Sequence, residues 1–469
     1  MKRPNILLIH SDQHRYDCIG AHGHALVQTP HLDRLAREGA DFCHAFSTIP
    51  ICSPARASLL TGAWPTTHGC LCIPGTEIYR PAKRELPVLT QLLAQNGYST
   101  GWVGKFHGEV EGGPTDWGVE DYIGSWPYKK WREEQGLPPE PASKAWFGEV
   151  DDAISPSQSG LAWQTDRVLE MLEARTEGAK SGETPFFLRF DPPEPHLPCR
   201  PPLELAQLYD AAPIAPWPSF PDSLEGKPQA LKNYRAAWGL DEWSWEKWAP
   251  IMRNYLAVIT HLDAQIGRIL SALENRGLLD ETLIIYSTDH GDFCGGHGAI
   301  DKHFSMSDDV MRVPLLLRWP EKIPSGARPQ AFCSNEIDIA RTILGAAQIE
   351  APPSFVGCNL VELARGKTGR DDIFAQYFGT HCGLFSQRMV REVRWKYVFN
   401  PTDRDELYDL QTDAGELRNL AQNPEFASEK RRLKARLWEW MQSTQDPLAN
   451  EWTRVHLLET VPLAAQVGF

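Results

Sequence analysis

Several things are scarce in this chain of 469 residues. No run of eighteen apolar residues occurs, so a membrane-spanning helix is not expected. The ten cysteines include no CxxC pair, and only Cys70 and Cys72 stand close together, which argues against a disulfide framework or a structural zinc site. There is no basic tail, and 47 Lys plus Arg against 61 Asp plus Glu leave a net charge of −14. A surface built to neutralise nucleic-acid phosphates or anionic lipid is therefore not expected, and any anion site must gather its cations locally. Residues 1–4 run straight into the apolar stretch 5–10, which is too short and wrongly flanked for a signal peptide. The expectation is a cytoplasmic protein with reduced thiols and neither nucleic-acid nor membrane partners. Internal repeats and low-complexity tracts are also lacking.

What is present is an ordinary globular composition, 42% hydrophobic and 23% charged. Length alone suggests about three domains, or two if the fold is a large α/β one. Short apolar runs at 5–10, 99–103, 186–191, 282–287 and 313–318 alternate with helical patterns, as in a mostly parallel sheet covered by helices on both faces. Helices are predicted from Thr29-Pro30 to Gly39, from Ser53-Pro54 to Gly62, over 86–96 and over 248–275. From 112 to 248 the alternation gives way to Pro- and Trp-rich stretches. Tryptophans there are read first as packing anchors, and secondly as a lid or a subunit interface, which keeps a homo-oligomer open. A polar stretch near 364–372 precedes alternating segments at 384–393 and 395–399 and a helix at 424–442. We therefore expect a catalytic α/β domain at 1–365 and a smaller α+β subdomain at 366–469, with a small antiparallel sheet and a terminal helix.

Ligands of open α/β sheets sit beyond the carboxyl ends of the strands. The first strand ends at Asp12-Gln13 and the strand at 282–287 ends at Asp289-His290, so these four side chains would converge as oxygen and imidazole ligands if the strands are neighbours. Cys52 is placed just before the N-cap of a helix beginning at Pro54, where free N–H groups and the helix dipole favour negative charge. A cysteine phosphatase would space its Cys and Arg by five residues, whereas three separate Cys52 from Arg56.

The string Cys52-Ser-Pro-Ala-Arg56-Ala-Ser-Leu-Leu-Thr-Gly62 resembles the sulfatase signature CxPxRxxxLTG, at which that family's cysteine is oxidised to formylglycine. Further blocks in family order are Pro4-Asn5-Ile6 through Asp12, Thr29 through Ala36, Gly104-Lys105-Phe106-His107, Pro195-His196, Thr288 through Gly291, Lys302, Arg312-Val313-Pro314 and Glu406 through Leu410. The resemblance implies an alkaline-phosphatase-like α/β fold and a sulfuric ester hydrolase releasing inorganic sulfate from a small organic ester, whether aryl, choline-like or sugar. It implies one divalent metal on Asp12, Gln13, Asp289, His290 and the modified Cys52, and a formylglycine-generating enzyme as maturation partner.

In the same terms, Arg56 would hold the formylglycine and its charge, and Lys105 would bridge the nucleophile and a sulfate oxygen. His107 would contact the second hydroxyl of the aldehyde hydrate and act as base, with Asp289 activating the first hydroxyl. His196 and Lys302 would flank the leaving-group oxygen. Sulfate esters resist attack because their oxygens repel a nucleophile, which is why a metal and fixed cations are needed. His22, His24, His297 and His303 are left outside the site.

Gln13 and His290 stand where many sulfatases carry Asp and Asn. Calcium is the expected ion, and the imidazole makes manganese the alternative. The same pairs occur in phosphonate monoester and phosphodiester hydrolases, the second functional reading, although those enzymes usually lack the Gly-Lys-x-His block. A catalytically silent binding relative is the third, and no missing catalytic residue supports it.

Overall fold

In the computed structural model, residues 3–141, 146–379 and 384–458 are described. Its strands are β1 (Asn5–Ser11), β2 (Ala40–Asp41), β3 (Ala45–Phe46), β4 (Ser99–Gly104), β5 (Asp121–Ile123), β6 (Phe186–Asp191), β7 (Thr282–Thr288), β8 (Leu315–Arg318) and β9 (Cys333–Ser334). A seven-stranded sheet has the order β2-β8-β7-β1-β6-β4-β5, and β3 pairs with β9 alone. β1 lies at its centre, parallel to both β6 and β7, with Ile6 opposite Phe187 on one side and Leu283 on the other.

The apolar runs are continuous because both faces of these strands are buried. Ile6 and Leu8 face a core containing Leu89, Leu93, Ile339 and Ile343. Leu7 and Ile9 face the opposite core, with Leu32, Leu35, Val168, Leu262 and Ile266. The helices Leu89–Gln95 and Asn335–Ala346 thus cover one face, and Pro30–Glu38, Gly160–Ser181 and Trp245–Asn275 cover the other. The last of these is apolar enough to span a membrane by composition, yet 78% of its apolar window is buried within the fold.

Several expectations are corrected. The segment predicted as 313–318 pairs only from Leu315 and runs antiparallel to β7. Pro314 has no N–H for the ladder, and the link from β7 carries only the short helices Gly296–Gly298 and Asp308–Met311, without the long crossover helix a parallel return requires. The helix predicted at 86–96 is Leu89–Gln95: Pro87 disfavours helical backbone before it, and Val88 is extended. Trp245 opens the helix predicted to begin at 248. The long helices Gly160–Ser181 and Asn335–Ala346 were not predicted.

The Trp-rich stretch packs. Trp217 Nε1 donates to the Cys294 carbonyl at 2.8 Å, Trp245 Nε1 donates to the Ile214 carbonyl at 2.7 Å, and Trp248 is buried. Toward the C-terminus, β10 (Asp372–Gly379), β11 (Phe385–Glu392), β12 (Trp395–Phe399) and β13 (Glu406–Asp409) form an antiparallel sheet in that order. The helix Ala427–Ser443 covers one face through Leu433, Leu437 and Met441. Pro424–Phe426, predicted as its first turn, forms a separate 3-10 turn. The sheet's other face packs Ile373, Tyr377 and Met389 against Phe46 and Phe304 of the large domain.

Candidate active site

The carboxyl ends of four neighbouring strands supply most of the site. Asp12 and Gln13 follow β1, Lys105 and His107 follow β4, Asp191 ends β6, and Asp289 and His290 follow β7. Cys52 comes from a different direction. Its helix spans Cys52–Thr61 with the extended Ile51 as N-cap, so the cysteine lies inside the first turn, two residues earlier than Pro54 suggests. Ser53, thereby relieved of capping, donates its hydroxyl to the His107 carbonyl at 2.7 Å and ties the helix to the segment after β4.

Asp12, Cys52, Asp289 and His290 are all buried, and one potential ligand atom from each lies within 4.8 Å of the others. Cys52 Sγ is 3.2 Å from His290 Nε2 and 3.8 Å from Asp12 Oδ1. His290 Nδ1 lies 2.8 Å from the Gly291 carbonyl, which assigns its proton there and leaves Nε2 for the cluster. Two carboxylates and an imidazole, each held by an outer partner, fit a divalent cation. Gln13 approaches from the side: its backbone N–H donates to Asp289 Oδ1 at 3.1 Å, its side-chain amide donates to Asp292, and its Oε1 accepts from Lys302 Nζ at 2.8 Å. Its φ of 67° is left-handed, uncommon for a residue with a side chain and frequent where a site dictates the backbone.

Arg56 lies beneath this cluster. Its Nε donates to Asp289 Oδ2 at 2.8 Å, Nη1 to Asp191 Oδ2 at 2.6 Å, and Nη2 to Asp12 Oδ2 at 3.2 Å and the Ser11 carbonyl at 3.1 Å. The resemblance assigned Arg56 to the nucleophile's charge, whereas the guanidinium spends its donors on three buried carboxylates. Asp191, which also accepts from Arg189 at 2.6 and 2.7 Å, was read from sequence only as the end of a strand. Asp292 and Asp301 were missed too. Asp292 accepts from Gln13, and Asp301 Oδ1 lies 3.0 Å from Lys302 Nζ.

The other cations converge on Cys52. Lys105 pairs with Asp12, and Lys302 Nζ lies 2.8 Å from His196 Nε2. Burial pushes the Cys52 thiol up, but Lys105, Lys302 and His290 outweigh it and hold the thiol well below its ordinary range. The His107 N–H donates to Glu109 Oε2 at 2.9 Å, which fixes the segment carrying that imidazole. Gly104 has φ 112°, and a Cβ there would meet the Asp191 carbonyl oxygen at 2.1 Å, so only glycine lets the chain turn from β4 into Lys105. His22 lies on Asp41 and the Tyr16 carbonyl, His24 accepts from the Val27 N–H, and His297 lies on Asp222. His303, 3.8 Å from Asp301, borders the site. A cavity of about 410 Å³ opens beside Lys105, His107 and His196 and runs outward between residues 122–140, 151–161 and 193–202.

The sulfatase family model matches residues 4–349. The chain belongs to the sulfatase family. A second model, N-sulphoglucosamine sulphohydrolase C-terminal, matches residues 295–443. The chain is 27% identical to an N-acetylglucosamine-6-O-sulfatase of Bacteroides thetaiotaomicron, over 95% of this chain and 87% of that one. It is 26% identical to a choline-sulfatase of Rhizobium meliloti, over 90% and 83%. The phosphonate monoester hydrolase of Agrobacterium radiobacter shares the fold, with a TM-score of 0.80 at 24% identity over 94% of this sulfatase and 96% of that chain. This sulfatase is accordingly a sulfuric ester hydrolase with the alkaline-phosphatase-like architecture, and its buried Asp, Cys and His cluster could hold a metal ion.

Proposed function

We propose that this sulfatase hydrolyses a small sulfate ester in the cytoplasm after a formylglycine-generating enzyme has converted Cys52, with one divalent metal held by Asp12, Gln13, Asp289, His290 and residue 52. The observation that carries the reading is the burial of Cys52 among Asp12, Asp289 and His290, with Lys105 and Lys302 acting on the same atom. The metal, calcium or manganese, would neutralise charge on the sulfuryl group, and the aldehyde hydrate would supply a hydroxyl nucleophile whose second hydroxyl permits sulfate to leave by C–O cleavage.

The chain's own residues do the rest. Arg56 braces Asp12 and Asp289 from beneath. Lys105 and Lys302 bind sulfuryl oxygens and accept the charge that develops on them. His107, held through Glu109, takes the proton from the second hydroxyl. His196 and Lys302, 2.8 Å apart, flank the leaving alcohol oxygen and stabilise the charge that develops on it. Among the described residues nine cysteines are free thiols, which fits a reducing compartment.

Mass spectrometry of the peptide spanning Cys52, from protein made together with a formylglycine-generating enzyme, should show the aldehyde in the active fraction. A fully active protein with an unmodified thiol would overturn the mechanism. Gln13 and His290 favour a second reading, hydrolysis of phosphonate monoesters or phosphodiesters. We expect kcat/KM for an aryl sulfate to exceed that for the matching aryl phosphodiester, and the reverse order would assign the site to phosphorus.

A further inference from the structure

Lys302 reaches the site from a strained loop. Between β7 and the helix Asp308–Met311 the chain forms no regular element except the short turn Gly296–Gly298. Cys294, His297, Asp301, His303 and Phe304 all adopt left-handed backbone there, with φ of 48°, 53°, 62°, 103° and 55°. Residues with side chains avoid that region unless their surroundings impose it. Those surroundings come from other parts of the chain. The Tyr234 hydroxyl donates to the Ile300 carbonyl at 3.0 Å, and His297 Nδ1 lies 2.7 Å from Asp222 Oδ2. The Phe304 ring packs 5.9 Å from each of Tyr377 and Phe385 on the C-terminal sheet.

The far end of the loop is held by charge. Lys396 on β12 and Glu416 are both buried, and Lys396 Nζ lies 2.5 Å from Glu416 Oε1. Lys396 Nζ also donates to the Met306 carbonyl at 2.9 Å and pairs with Asp308, while Glu416 Oε1 accepts from the Asp308 N–H at 2.9 Å. Taking two charges out of water is costly, and apolar side chains of similar volume often stabilise a core as well. A buried pair whose remaining bonds all go to Met306 and Asp308 is suited to fixing where that stretch lies. We propose that Lys396 and Glu416 are positioning residues that set the place of Lys302 from the C-terminal subdomain. The sheet that carries Lys396 contributes no residue to the walls of the cavity of about 410 Å³, so its effect on the reaction must pass through the loop. Lys302 precedes Met306 by four residues, and its Nζ must keep contacts of 2.8 Å with both Gln13 Oε1 and His196 Nε2. A shift of about 1 Å at the loop's end is enough to break such contacts and to slow a reaction that depends on them.

This inference rests on the reading of Lys302 at the leaving alcohol oxygen, and its test separates the two. For the matured enzyme, kcat/KM is measured with 4-nitrophenyl sulfate and with phenyl sulfate. The nitro group takes up the charge of one leaving phenolate, whereas the other relies on cations of the protein. Lys302→Ala should therefore slow phenyl sulfate more than the nitrophenyl ester. Lys396→Met should widen the same gap by about tenfold. In a Lys302→Ala background it should add nothing to the gap, an outcome that general loss of stability does not produce. The double variant Lys396→Met with Glu416→Gln removes both charges together and serves if Lys396→Met alone fails to fold. An effect of Lys396→Met that is equal for the two esters, or a widened gap that persists without Lys302, would overturn the proposal while leaving the reaction as described. An unchanged gap in Lys302→Ala itself would remove Lys302 from the leaving oxygen, and the positioning role with it.

Discussion

Arg56 Nε reaches Asp289 Oδ2 at 2.8 Å with both side chains fully buried. The same guanidinium holds Asp12 and Asp191, so one cation touches three carboxylates, two of which belong to the candidate metal cluster. Arg56→Met would leave all three buried with less compensation, at a cost of about 3–5 kcal/mol. Urea unfolding should show that loss, and elemental analysis should show depleted metal. A variant of wild-type stability with a full complement of metal would mean that Arg56 is not a brace.

Removing the metal should stop catalysis without dismantling the fold. Dialysis against EDTA is expected to abolish sulfate release, and either calcium or manganese should restore it. Because imidazole favours transition metals over calcium, His290→Asn should shift relative affinity toward calcium by about tenfold or more. Competitive titration of the two ions reads this directly, and an unchanged ratio would remove His290 from the ligand set.

Glu336 gives the stability a pH dependence. It is buried, accepts from the Thr48 N–H at 2.9 Å, and burial pushes its carboxyl from 4.5 up to about 7. The folded state therefore keeps a proton that the unfolded chain releases. This contribution is fully present below about 4.5 and is lost as pH rises through about 7. Glu336→Gln mimics the protonated form, so its unfolding midpoint should fall less steeply between pH 5 and 8. Parallel slopes in the two proteins would contradict the assignment.

Gly104→Ala forces a methyl group onto a backbone carbonyl at a left-handed position. Strain of this kind should cost about 1–3 kcal/mol. Lys105 follows immediately and its N–H donates to the Asp191 carbonyl at 2.7 Å, so kcat should fall together with the melting temperature. Normal kcat in a destabilised variant would show that the turn does not position Lys105.

Much of this architecture was legible in the sequence, for physical reasons. β1 and β7 are buried on both faces and so appear as unbroken apolar runs, and Asp12 and Asp289 stand at their carboxyl ends. The helix Gly160–Ser181 escaped because its buried side includes Gln164, Thr165, Arg175 and Thr176, which interrupt the apolar period. Arg175 earns its burial by donating to the Thr100 carbonyl and to Asp121, partners far away in the chain. Its capping signals were nevertheless present, since Ser159 accepts from the Ala162 N–H and Gly182 closes the helix with φ 75°. Asn335–Ala346 was hidden in the same way by buried Asn335, Glu336 and Asp338.

Within the site, the residues found from sequence were those in motifs, and the residues missed were single carboxylates. Asp191 closes a strand, and Asp292 follows the Thr288–Gly291 block without belonging to it. Their meaning comes from Arg56 and from Gln13, neither of them a sequence neighbour.

The four potential ligating side chains arise from β1, the Cys52 helix and β7, whereas most of the cavity wall arises from residues 122–140, 151–161 and 193–202. Inheritance can act on these parts separately. Drift or laboratory recombination confined to the wall segments can exchange one alcohol specificity for another while the sulfuryl-transfer machinery is passed on intact, so close descendants of this chain are free to share a reaction and differ in diet.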